Sequence, residues 1–136
     1  MKVIGVTAAA RYRTDIDGDG HLLVADEPVA LGGGDAGPAP FALVLAGLAA
    51  CTGATLRMYA EHKGWPDIEL RIELSLEHGD ERRTIRRRVE VRGAPDEAGI
   101  TRLRDVVERT PVTLALKSGF DILTALEPAP NAARPA

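Results

Sequence analysis

Gly32-Gly33-Gly34-Asp35-Ala36-Gly37-Pro38-Ala39-Pro40 runs straight into Phe41-Ala42-Leu43-Val44-Leu45-Ala46-Gly47-Leu48-Ala49-Ala50-Cys51-Thr52. The first part is too rich in glycine and proline for regular structure and reads as a shaped loop. The second part is a helix. Pro40 suits its first turn, where the missing N–H has no partner to lose. Apolar residues continue to Met58 and Tyr59, so the predicted helix covers 41–62, with Gly64 and Pro66 ending it. From Ala42 to Ala54 nearly every face is small and apolar, which predicts burial all round. Ala46, Gly47, Ala49, Ala50 and Gly53 leave room for a second backbone to come close.

Upstream, residues 3–13 and 21–31 read as extended segments joined by the turn-rich stretch 14–20. Downstream, Ile68, Leu70, Ile72, Leu74 and Leu76 alternate with Glu69, Arg71, Glu73, Ser75 and Glu77. That period of two predicts a half-buried antiparallel strand. His78-Gly79-Asp80-Glu81 is the turn, and 82–92 returns with Ile85, Val89 and Val91 as its apolar positions. Pro95-Asp96-Glu97 opens a second helix with acid at its positive end. Its stripe is Ile100, Leu103, Val106 and Val107. A short segment from Pro111 to Leu116 and a last strand from Phe120 to Leu126 follow. The expected order is strand–strand–helix–strand–strand–helix–strand, an α+β domain over 1–126 with a loose, proline-bearing tail over 127–136.

The chain has 136 residues, room for one domain. Aromatics are 4%, so the core rests on Ala, Val, Leu and Ile. A net charge of −3 argues against a dedicated nucleic-acid binder. The start, Met1 to Gly5, precedes too short an apolar run for a signal peptide. The uninterrupted apolar stretch Phe41 to Ala50 falls short of the about 20 residues a membrane span needs. The lone Cys51 excludes an intrachain disulfide and an all-cysteine zinc site. The expectation is a cytoplasmic protein with a free thiol and no membrane partner.

Asp15, Asp17, Asp19, Gly20 and Asp26 match the spacing of a calcium-binding loop. That loop needs flanking helices, whereas Leu22, Leu23 and Val24 read as strand and Pro28 blocks a helix. A solvated hairpin turn is the better reading. The arginines 82, 83, 86, 87, 88 and 92 face Glu69, Glu73 and Glu77 across the hairpin, so cross-strand pairing on a solvated face accounts for them. His21, His62 and His78 lack ligand spacing, and no metal or cofactor is expected. That leaves Cys51. A thiol in an apolar helix is ordinarily inert. Here it follows a loop that opens a cleft, with the Thr52 and Thr55 hydroxyls within a turn. Arg57 is six residues on and turned to another face. Arg11, Arg13 or Arg57 are the candidate cations for a thiolate.

The loop, the helix through Ala49-Ala50-Cys51-Thr52, Thr55-Leu56-Arg57-Met58-Tyr59-Ala60, Lys63-Gly64-Trp65-Pro66, and Glu108-Arg109-Thr110-Pro111-Val112-Thr113-Leu114-Ala115-Leu116 together resemble the OsmC/Ohr family in the right order. The resemblance implies antiparallel sheets around a long central helix, in an intertwined homodimer with its sites at the subunit interface. It further implies a thiol peroxidase that reduces organic hydroperoxides in oxidative-stress protection. A cysteine matching Cys51 attacks the O–O bond, a second cysteine closes a disulfide, and an Arg and a Glu activate the thiolate. This chain departs from that pattern. The second cysteine's place holds Thr110, the Glu would fall at Phe41 or Ala42, and no arginine lies between Leu22 and Ala42. The implied activity is therefore of one-cysteine type, using an external thiol reductant. Phe41, Thr52, Trp65 and Thr110 are the expected pocket lining. The alternative is a catalytically degenerate member of the fold that binds a small apolar ligand at the dimer interface.

Overall fold

The computed structural model describes residues 1–65, 67–93 and 96–130. Pro66 as a helix stop, Pro95 as a helix opener and the last six residues of the tail lie outside the described residues. Three strands come first: β1 (Val3–Thr7), β2 (Thr14–Gly18) and β3 (His21–Ala25), an antiparallel meander in that order. A short 3-10 turn at Val29–Leu31 leads to α1 (Pro40–His62). The hairpin β4 (Glu69–His78) and β5 (Arg83–Arg92) follows, then α2 (Glu97–Val107) and α3 (Pro111–Ser118). The class is α+β, as expected.

Helix α1 begins with Pro40 at its first turn, as the sequence requires. By length and mean hydropathy, 23 residues and 1.6, it is long and apolar enough to cross a membrane, more than its ten-residue apolar run suggested. Within this chain it is the axis on which β4, α2 and α3 pack. The expectation of burial all round is corrected. Only Leu48, Thr52, Leu56 and Ala60 are buried, one stripe at intervals of four, while Val44 and Met58 stand exposed. Three elements pack against this helix, and they seal one stripe of it.

The β4–β5 hairpin pairs Leu70 with Val91, Ile72 with Val89 and Leu76 with Ile85. These alternate positions turn toward α1, and Ile68, just before β4, is sealed. Outside, Arg86 pairs with Glu77, Arg71 with Glu73, and Arg88 with Glu90. Helix α2 is capped by Asp96, whose carboxylate accepts the Gly99 N–H at 2.7 Å. Its Leu103 is buried.

Several strand expectations are corrected. The extended segments 3–13 and 21–31 are strands only over Val3–Thr7 and His21–Ala25, and Val29–Leu31 is a 3-10 turn. The stretch 14–20 is not one turn, because Thr14–Gly18 forms β2 between β1 and β3. The tight turn is confined to Asp19 and Gly20, both at positive φ. Residues 120–126 form no strand, and Phe120, Ile122, Leu123 and Leu126 are 72–95% exposed. Strand propensity is present there, but no sheet edge among the described residues pairs with it.

Candidate functional site

The glycine-proline loop is built around Asp26. Its carboxylate accepts backbone N–H groups from Glu27 at 2.8 Å, Gly34 at 3.2 Å and Ala36 at 3.1 Å. The Asp26 N–H in turn donates to the Pro38 carbonyl at 3.1 Å. These bonds, the one from Ala36 foremost, hold the Asp26 carboxyl below the usual carboxylate range; burial opposes them, and the charge of Arg13 adds to them. Gly33 and Gly37 lie flat on the chain leaving β3. A side chain at either would collide with a backbone carbonyl, of Glu27 or Val24. Gly33 and Gly37 are therefore needed for close approach, whereas Gly32 holds a left-handed turn at φ +87°. It delivers the chain to Pro40 in extended conformation, where α1 starts.

Cys51, the twelfth residue of α1, is half-buried. Its Sγ lies 3.9 Å from Thr55 Oγ1, one turn on. It also accepts the backbone N–H of Val112 at 3.5 Å. Val112 sits in the first turn of α3, where N–H groups have no intrahelical partner. The sulfur thus meets the N-terminus of α3, with a backbone donor aimed at it.

An inward-facing, partly buried arginine holds that helix in place. Arg87, on β5, falls in phase with Ile85 and Val89, so it points inward, opposite Leu74. Its side chain is only 12% exposed. Nη1 donates to Thr52 Oγ1 at 3.0 Å and Thr113 Oγ1 at 2.8 Å, and Nη2 donates to the Val107 carbonyl at 2.9 Å. Thr113 Oγ1 shares a hydrogen bond with Thr110 Oγ1 at 2.6 Å, and Thr52 donates to the Leu48 carbonyl at 2.7 Å. Glu108 reaches Arg87 at 3.7 Å and Lys117 at 2.8 Å. The Lys117 hydrogen bond holds Glu108 below its ordinary range against a desolvation penalty, with the charges of Lys117 and Arg87 assisting. The reading of all six arginines as a solvated face is corrected for Arg87. The signal was available: period-two alternation puts residue 87 on the apolar side.

Thr52 and Thr110 are fully buried in this network beside Cys51 and α3. Phe41, 38% exposed, lies under the Arg83 guanidinium at 6.0 Å. Trp65, just past the end of α1, packs edge-on against Tyr59, which lies about 12 Å along the helix axis from Cys51. The candidate cations are engaged elsewhere. Arg11 donates to the Gly32 carbonyl at 2.8 Å. Arg13 pairs with Asp15 at 2.8 Å, a bond that raises its pKa further. Arg57 has interactions of its own.

The acids of the calcium-like spacing are spread over strand and turn. Asp17 accepts from Gly20, Asp19 from the Lys2 N–H, and Asp26 from its own loop. Among the described residues no group of three or more His, Cys, Asp or Glu is placed to hold a metal ion.

Beside the Arg87 network lies an open groove of about 570 Å³. The hairpin tip supplies one wall through Arg82, Arg83 and Ile85, and α3 supplies the other through Thr113, Leu116 and Lys117. Leu48, one turn before Cys51, and Arg87 also line it.

A family model described as OsmC-like protein matches residues 32–124. No curated protein matches the sequence. Among solved structures, an osmotic stress induced and detoxification response protein from Psychrobacter arcticus 273-4 superposes with a TM-score of 0.73 at 16% identity, covering 85% of this chain and 87% of that one. An OsmC-like protein from Mycoplasma pneumoniae gives 0.66 at 22% identity, covering 85% and 86%. An organic hydroperoxide resistance protein OsmC from Legionella pneumophila gives 0.63 at 22% identity, covering 86% and 90%. At these identities the likeness is one of fold.

Proposed function

The chain belongs to the OsmC-like protein family, and from that premise we propose that it is a one-cysteine thiol peroxidase acting on organic hydroperoxides in the cytoplasm. The observation that carries the reading is the Val112 N–H on Cys51 Sγ at 3.5 Å. A donor already aimed at the sulfur strengthens as charge builds there. In the first step the Cys51 thiolate attacks the terminal oxygen of ROOH. The S–O bond forms as the O–O bond breaks, and the leaving alkoxide takes a proton to become ROH. Cys51 is left as sulfenic acid. An external thiol then condenses with it, releasing water and forming a mixed disulfide. A second thiol frees Cys51 and leaves as the disulfide of the reductant.

The lack of a second cysteine fits this cycle. Thr110, in its place, commits its hydroxyl to Thr113. With no arginine between Leu22 and Ala42, the cation that the resemblance would put beside the thiolate is missing, and Phe41 or Ala42 stands in place of the acid. Loss of one donor to a developing oxyanion slows comparable chemistry roughly 10²–10³-fold, so slow turnover is expected. Purified protein with cumene hydroperoxide and excess dithiothreitol tests the reading. Turnover abolished in Cys51→Ser, and a dimedone adduct on Cys51 after one equivalent of peroxide, are the expected results. Absence of both refutes the peroxidase and leaves ligand binding by a degenerate member of the fold.

A homodimer is the second part of the proposal. Two observations support it. Only one stripe of the apolar helix α1 is buried by its own chain, and the β1–β3 meander packs chiefly on itself while exposing Val3, Ile4, Val6, Leu22 and Leu23. A stable folded monomer in sedimentation at micromolar concentration would refute it.

A further inference from the structure

We propose that the groove between the β4–β5 tip and α3 is a binding site for an amphipathic carboxylate, a negatively charged head on an apolar stem. Four cations line it against one carboxylate, Glu108. Two of the four are already committed: Lys117 pairs with Glu108, and Arg87 is bound inward by Thr52, Thr113 and Val107. Arg82 and Arg83 are different. The Arg82 side chain has no hydrogen bond or ion pair among the described residues, and Arg83 only lies over the Phe41 ring. Both are solvent-exposed at the mouth. Their charge is unspent, and a planar guanidinium matches a carboxylate with two parallel bonds.

The stem has its own surface. Leu48, Ile85 and Leu116 supply apolar wall between the charged mouth and the Arg87 network. A volume of about 570 Å³ lies within the range of small-molecule sites, roughly 300–1,000 Å³. Phosphate alone would use the mouth and leave that wall wet; a neutral alkane would leave two arginines unpaired. The inner wall reaches Thr113, next in sequence to the residue whose N–H touches Cys51. The assignment concerns binding and stands apart from turnover.

Calorimetric titration of the full chain with octanoate and with octanol at pH 8 tests it. Octanoate is expected to bind at least about tenfold more tightly, by the strength of a charge-assisted pair. The double variant Arg82→Gln, Arg83→Gln should lose about tenfold in octanoate affinity, keep octanol within twofold, and melt at the wild-type temperature. Leu116→Gln should weaken both ligands. Equal binding of octanoate and octanol overturns the proposal, as does octanoate binding unchanged in the double variant. A further arm compares turnover of a carboxylate-bearing alkyl hydroperoxide with that of its methyl ester. Preference for the acid, lost in the double variant, identifies the ligand as substrate. Octanoate binding in a protein that turns over no hydroperoxide supports the site while refuting the peroxidase.

Discussion

Removing the Arg87 guanidinium should be among the most damaging single changes in the chain. Three hydrogen bonds of 2.8–3.0 Å end on it, and its side chain is 12% exposed. Arg87→Ala orphans the Val107 carbonyl, unties Thr52 from Thr113 and empties the space of the side chain. Losing the charged donor of three hydrogen bonds and leaving the Val107 carbonyl unpaired costs about 3–5 kcal/mol, at about 1–3 kcal/mol for each bond to a charged group or orphaned partner. The contact with Glu108 adds little, because that carboxylate is 59% exposed and the pair is 3.7 Å apart. At about 3–4 °C per kcal/mol for a chain of this size, Tm should fall by about 10–20 °C. Arg87→Lys keeps the charge but loses the fork, so it should recover only part of the loss. Arg87→Met, which refills the space, should cost less than Arg87→Ala. Thermal melts at one fixed protein concentration read all three. If Arg87→Ala melts within about 3 °C of the wild type, or Arg87→Lys matches the wild type, the network does not hold α3 to the rest.

Asp26→Asn should destabilise at pH 7, and the gap to the wild type should close as pH falls. The folded-state pKa of Asp26 lies below its ordinary value of 3.8, so its contribution is complete above that value and lost as pH falls through the folded one; paired melts between pH 3 and 7 measure this, and a constant gap would contradict it. Gly37→Ala should cost about 1–3 kcal/mol, because its Cβ meets the Val24 carbonyl rather than a flexible side chain; urea unfolding with no change in midpoint would show that the loop yields. Hundredfold dilution should lower Tm by several degrees if a second copy covers α1; a concentration-independent Tm argues against the dimer.

Where the sequence encodes an element through positions that agree with one another, it was readable. Pro40 and the apolar run fixed α1 to within a residue. The alternation from Ile68 to Leu76 gave β4 and its partner. β2 was hidden because Asp15 and Asp17, strong turn residues, occupy its outward positions; only Thr14 and Ile16 hint at its inward face. The segment 120–126 has strand-like composition, yet a strand exists only where an edge accepts it, and an edge is a property of the assembled sheet. Cys51 stood out as the lone thiol. Its donor, the Val112 N–H, belongs to a backbone 61 residues away and has no side-chain signature. Arg87 reads as surface because five other arginines crowd residues 82–92 with it; burial is decided by phase rather than by residue type.

All strand pairing in the described chain is between sequence neighbours. The meander closes within residues 3–25 and the hairpin within 69–92. Both sheets therefore assemble with little loop-closure entropy, and only the docking of helices requires distant segments to meet. Such a molecule should zip its ladders early and quickly. The slow event is then the seating of α3 on the middle of α1, which is also what brings an amide to the thiol. A newly made chain would carry a bare sulfur on a finished helix until its last segment arrives.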